Sequence, residues 1–138
     1  MQDLDFNEVV TLICKEDHRF NKSAYEFVRQ GLDFTVKELK KSDSSRAGKS
    51  LHVSGEELLM GLRAFALDQF GPMSRTVLGE WGVTECGHFG DIVFNLIEYS
   101  VFSRNKGDSR EDFNDVYSFE EAFDVPFRPN EQRQARFV

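Results

Sequence analysis

The sequence predicts an all-α fold, or a mostly α fold with one or two very short strands: a compact bundle of about five helices plus a short C-terminal helix. Three observations predict it. Asp5 with Glu8, Ser23 with Glu26, Ser54 with Glu57 and Ser118 with Glu121 all have the N-cap to N3 spacing of a capping box, in which each side chain satisfies one otherwise orphaned backbone N–H. Between these starts, apolar residues recur at three- and four-residue intervals, the period of one buried helix face. The chain also carries 14 Phe against one Trp and three Tyr. Phe buries a large area with no polar atom to satisfy, so this skew points to a Phe-rich core.

The elements follow in order. A first helix spans residues 6–14, with Val9, Val10 and Ile13 as its apolar stripe. A polar turn leads to a second helix at 22–41, whose stripe is Tyr25, Val28, Leu32, Val36 and Leu39. Lys37, Lys40 and Lys41 fall in its last turns, where cations suit the helix dipole. Residues 42–50 are rich in serine and lack large apolar groups, the composition of a loop. The third helix starts at Ser54 and carries Leu58, Leu59, Leu62, Phe65, Ala66 and Phe70, until Gly71 and Pro72 stop it. Pro72 then suits the first turn of a fourth helix, 73–81, which Gly82 closes in a left-handed conformation. Thr84 is read as the cap of a fifth helix bearing Phe89, Ile92, Val93, Leu96, Ile97 and Val101. A short helix comes after Ser118. Residues 1–124 read as a single helical domain and 125–138 as an extended tail containing Pro126 and Pro129.

Composition narrows the function. A length of 138 residues fits one domain that needs no disulfide or metal to hold its core. The net charge of −7 opposes a general affinity for nucleic acid or anionic membrane. Cys14 and Cys86, far apart, read as reduced thiols. The first residues are acidic, with no basic stretch of a secretory leader, and no apolar run reaches membrane-span length, so a cytoplasmic location is expected.

Several constellations could carry chemistry. Residues 75–104 resemble a helix-turn-helix, but between Arg75 and Arg104 the charges are Glu80, Glu85, Asp91 and Glu98, so the would-be recognition helix would be repelled by DNA. Glu85 and His88 have one copy of the E-x-x-H spacing that di-iron bundles use twice. With Cys86 and His52 they form a conceivable zinc set without the usual ligand spacing. The glycines at 79, 82, 87 and 90 fit turns and close helix approach better than a phosphate loop. The most unusual stretch is acidic and aromatic: Asp108, Glu111, Asp112, Asp115, Glu120, Glu121 and Asp124, interleaved with Phe113, Val116, Tyr117, Phe119 and Phe123. It lacks the register of a calcium loop. It reads as a solvated edge docking its aromatics on the core, or as a lip for a basic partner.

The order of motifs carries a resemblance. Asp17-His18-Arg19-Phe20 precedes Ala24-Tyr25-Glu26-Phe27-Val28. His52-Val53-Ser54-Gly55-Glu56-Glu57-Leu58-Leu59 comes next, then Phe70-Gly71-Pro72-Met73, Val77-Leu78 and Trp81-Gly82-Val83. Phe89-Gly90-Asp91-Ile92-Val93-Phe94-Asn95-Leu96-Ile97, Asp112-Phe113 and Phe119-Glu120-Glu121-Ala122-Phe123 close the series. This resembles an uncharacterised family of small bacterial proteins largely restricted to the Planctomycetes and Verrucomicrobia. The likeness covers residues 5–123 and implies no activity, cofactor or residue role.

The expected function is a non-catalytic protein-interaction or regulatory domain of the bacterial cytoplasm, with another protein, of basic surface, as partner. No catalytic residue, metal or cofactor is expected, and the oligomeric state is left open. Candidate binding residues are His52, Trp81, Glu85, His88, Asp91, Asp108, Asp112 and Asp115. One alternative is a small enzyme or metal-binding protein centred on Glu85, Cys86 and His88. The other is a weak nucleic-acid-associated factor using the patch from Lys37 to Lys49 and the C-terminal arginines Arg128, Arg133 and Arg136.

Overall fold

The computed structural model describes residues 5–42, 53–102 and 109–129. Helix α1 (Phe6–Glu16) starts at the expected cap, where Asp5 Oδ1 accepts the Glu8 N–H at 2.8 Å, and buries Val9, Val10 and Ile13. Helix α2 (Lys22–Ser42) starts at a different cap from the one its sequence predicts. Ser23 lies inside the helix, and Asn21 Oδ1 accepts the Ser23 N–H at 2.8 Å. The Asn21 N–H is itself held by the Trp81 carbonyl at 3.0 Å, so a contact from a distant turn sets where this helix begins. Helix α3 (Gly55–Phe70) has the full capping box of Ser54 and Glu57.

Gly71–Met73 form a single 3₁₀ turn, and helix α4 (Ser74–Glu80) continues from it. The fully buried Ser74 hydroxyl lies 2.9 Å from the Ala66 carbonyl and 2.7 Å from that of Gly71, tying α4 back to the end of α3. Gly82 adopts φ +90°, the left-handed closure its position predicts. Helix α5 (Cys86–Glu98) then begins after Glu85 rather than at Thr84. A capping box of Ser109 and Asp112 opens a 3₁₀ turn, Arg110–Phe113. Ser118 Oγ accepts the Glu121 N–H at 3.1 Å, as expected, but the helical segment it caps is a π turn, Glu120–Asp124. Val125–Phe127 form another helical turn, so the chain is not yet an extended tail at Val125. Among the described residues the fold is all-α, with no strand, and no helix is long and apolar enough to cross a membrane.

One core gathers all five helices. Phe27 sits at its centre, its ring centroid 5.2 Å from that of Phe65, 5.8 Å from both Phe70 and Trp81, and 6.2 Å from Phe89. From Phe89 the aromatic chain continues to Phe119 at 5.9 Å, and from there to Phe123 at 4.9 Å. The acidic-aromatic stretch thus folds its rings inward and leaves most of its carboxylates at the surface.

The α2–α3 pair makes the most extensive helix contact, and it departs from the apolar stripe read in α2. The buried face there is Ala24, Tyr25, Phe27, Val28, Gly31 and Thr35, with Leu32, Val36 and Leu39 only half-buried. Gly31 faces the Leu62 side chain and Thr35 faces Gly61, so α3 approaches where α2 is thinnest rather than where it is most apolar. Thr35 meets its polar requirement within the helix, donating its hydroxyl to the Gly31 carbonyl at 2.7 Å.

Candidate functional site

The structure uses four of the six described sequence-predicted site residues internally. Trp81 lies half-buried, edge-on to Phe70 at 5.7 Å. His88 reaches back along α5: its Nδ1 accepts the Thr84 N–H at 3.1 Å, and its ring meets Phe20 edge-on at 5.5 Å. The residue that precedes α5 is Glu85 rather than Thr84, whose hydroxyl lies 3.3 Å from the same His88 nitrogen. Asp112 Oδ2 accepts the Ser109 N–H at 2.8 Å within the capping box. His52 and Asp108 lie outside the described residues.

Asp91 is the hub of a charged network. Arg19 Nη1 donates to its Oδ2 at 2.9 Å and Arg110 Nε to its Oδ1 at 2.6 Å. Arg110 also donates to the Gly87 carbonyl at 2.7 Å, while Arg19 grips Asp17 through Nε and Nη2 at 3.0 and 2.8 Å. Asn95 Nδ2 completes the set, donating to Asp17 at 3.1 Å and to the buried Tyr25 hydroxyl at 3.0 Å. The α1–α2 turn, α5 and the 110–113 turn are therefore joined by paired charges.

The Arg19 guanidinium, with help from Asn95, holds the Asp17 carboxyl well below the usual carboxylate range. A carboxylate whose folded-state pKa is depressed stabilises the fold above its unfolded pKa of about 3.9 and loses that stabilisation as pH falls towards the folded value. Stability is expected to drop as pH falls through and below about 4. An Asp17→Asn variant should be less stable at neutral pH and show a flatter dependence there. Parallel acid curves for the two proteins, followed by far-ultraviolet circular dichroism in urea, would contradict this assignment.

Glu85 and Asp115 come together with Cys86. They line a polar cleft of about 350 Å³ between the start of α5 and the 114–120 segment, with Arg75 and Asn114 on its walls. Arg75 is already paired with Asp124. Cys86 is buried, and its Sγ lies 3.1 Å from the Tyr117 carbonyl as donor. Burial pushes its thiol pKa up, which favours the unreactive thiol over the thiolate. Cys86 and His88 thus turn to different partners. Among the described residues, no three His, Cys, Asp or Glu side chains group as a metal ion would require. Of the cations considered for nucleic acid, Arg128 pairs with Glu120 at 3.1 Å and Lys41 lies 3.6 Å from Glu38, while Lys49, Arg133 and Arg136 lie outside the described residues.

The larger recess was not among the sequence-predicted sites. It is a groove of about 420 Å³ between the second half of α2 and the first half of α3. Phe34 and Leu39 form one wall, Met60 and Ala64 the other, and Gly61 lies on the floor against Thr35. Glu38, Glu56 and Glu57 stand around it. Met60 is 48% exposed, high for a large apolar side chain on a helix otherwise packed into the core. A sequence signal existed: Phe34 and Met60 fall off the apolar stripes of their helices. Which face each helix would bury depended on the crossing, so the signal was not readable alone.

No protein-family model, no curated protein and no solved structure matches the chain.

Proposed function

We propose that this protein is a non-catalytic interaction domain of the bacterial cytoplasm, belonging to the small bacterial family its motifs resemble. Its α2–α3 groove receives a short amphipathic segment of a basic partner protein. The carrying observation is the groove itself: an apolar trough with an exposed methionine, bordered by carboxylates, on a chain of net charge −7. Apolar grooves between helices receive the apolar faces of amphipathic helices. Methionine suits such surfaces because its unbranched, polarizable side chain adapts to different shapes. Carboxylates around the trough favour lysine or arginine flanking the docked face and raise the rate of encounter.

The test uses a designed helical peptide of about 15 residues, with leucines at helical spacing and lysines elsewhere, beside a copy in which glutamate replaces lysine. The basic peptide is expected to bind more tightly at low salt and to perturb the amide resonances of Thr35, Met60, Gly61 and Ala64. Met60→Glu should weaken it about tenfold or more, equivalent to about 1.4 kcal/mol. Equal binding of the two peptides, or unchanged affinity in Met60→Glu, would count against the groove as the site.

A further inference from the structure

The α2–α3 groove differs between its two ends. Gly31 faces Leu62 and Phe65, and Thr35, one turn further along α2, faces Gly61, so the two helices run antiparallel. The end of α2 therefore lies beside the start of α3, and Glu38, Glu56 and Glu57 share that end of the groove. Phe34 and Ala64 line the other end, with Met60 between. Glu56, Met60 and Ala64 follow at four-residue steps along one strip of α3. From Glu56 to Ala64 the strip covers about 12 Å of helix axis.

The carboxylates at the first end are open to an incoming cation. The Glu38 side chain is 51% exposed, and its neighbour Lys41, 3.6 Å away, is 78% exposed. An ion pair that wet contributes little and exchanges readily for another. Glu56 is exposed and has no hydrogen-bond or ion-pair partner among the described residues. Glu57 is already committed, accepting the Ser54 N–H at 3.0 Å. No lysine or arginine among the described residues lines the groove.

The two ends select opposite residue types. A lysine head placed over Met60 and Ala64 loses water against apolar atoms and gains no counter-charge. The same lysine one or two turns away keeps its stem on apolar surface and sets its charge beside Glu38 or Glu56 in water. We infer that the groove reads where its partner's charge lies as well as its sign. It takes a helix whose apolar anchors sit over Met60 and Ala64 and whose lysines or arginines are gathered at one end, beside Glu38 and Glu56. A helix of the same composition with its cations in the middle is disfavoured, a selection made by mismatch as much as by attraction. This specificity rests on the docking role proposed for the groove.

The experiment uses the full chain and two helical peptides of identical composition and leucine spacing. One has its lysines clustered at one end, the other in the middle. The end-clustered peptide is expected to bind about fivefold more tightly at low salt. Glu38→Gln with Glu56→Gln should remove that preference; Glu57 is left in place because it caps α3. A spin label beside the lysine cluster should broaden the Glu38 and Glu56 amide resonances more than that of Ala64. Equal binding of the two peptides, with both weakened by Met60→Glu, overturns the inference and leaves the groove as a docking site. A preference that survives the double substitution overturns it too, since the selecting charges then lie elsewhere. Equal broadening at Glu56 and Ala64 does the same, because the cations then have no fixed end. Failure of both peptides to bind removes the docking role and the specificity together.

Discussion

Gly61→Ala is expected to destabilise the protein by about 2–3 kcal/mol, although alanine is the better helix former. A Cβ built on Gly61 falls 2.7 Å from Thr35 Cβ and 2.8 Å from Thr35 Cγ2, and closer still to Thr35 Oγ1. No rotation of Thr35 moves its Cβ, so the helices must separate. Helix propensity alone gives the opposite sign, a gain of about 1 kcal/mol. The sign of the change therefore decides whether packing or propensity governs this position. Combining Gly61→Ala with Thr35→Gly removes all three clashing atoms. The pair should be less destabilised than the sum of the single changes by about 1 kcal/mol or more. Urea unfolding midpoints measure each term. A Gly61→Ala protein as stable as the unsubstituted one would mean that α2 and α3 do not cross at this point.

The second large effect is Phe89→Ala, with an expected loss of about 3–5 kcal/mol. Phe89 is fully buried and links the two aromatic groups of the core, Phe27 on one side and Phe119 on the other. Removing it opens a cavity that rings held on several different elements cannot easily close. Against a total stability of about 5–15 kcal/mol for a typical domain, that loss is a large share. The midpoint of thermal unfolding should fall by roughly 15 °C. Phe127→Ala is the contrast: this ring is 44% exposed, and its loss should change stability by no more than about 0.5 kcal/mol. Equal effects of the two substitutions would show that the C-terminal aromatics are not joined to the core through Phe89.

Much of the helix frame was legible in the sequence. Asp5 and Ser54 cap as read, Val9, Val10 and Ile13 are buried as read, and Gly82 closes α4 in the left-handed conformation its position suggests. The acidic stretch docks its rings inward, one of the two arrangements its composition allows. Local patterns misled where a distant group competed with a near one. Ser23 lost the cap of α2 to Asn21, which the Trp81 carbonyl holds in place. Glu85 rather than Thr84 precedes α5, and the Thr84 N–H and hydroxyl both lie against His88 Nδ1.

The candidate site was harder to read for the same reason. Asp91, Asp112 and His88 looked available because a sequence does not show which cations and N–H groups will reach them. Their partners are Arg19 and Arg110, the Ser109 N–H and the Thr84 N–H. Glu85 and Asp115 line a common cleft.

By itself the sequence determined the helical class, most helix starts and the aromatic character of the core. Caps and periodicity act over three or four residues, so their energetics are complete within a short stretch of chain. The tertiary structure decided which face of α2 is buried, which charges are already paired and that a groove exists beside Met60. Those depend on two helices meeting at Gly31 and Gly61, where shape at close approach outweighs the apolar pattern of either helix alone.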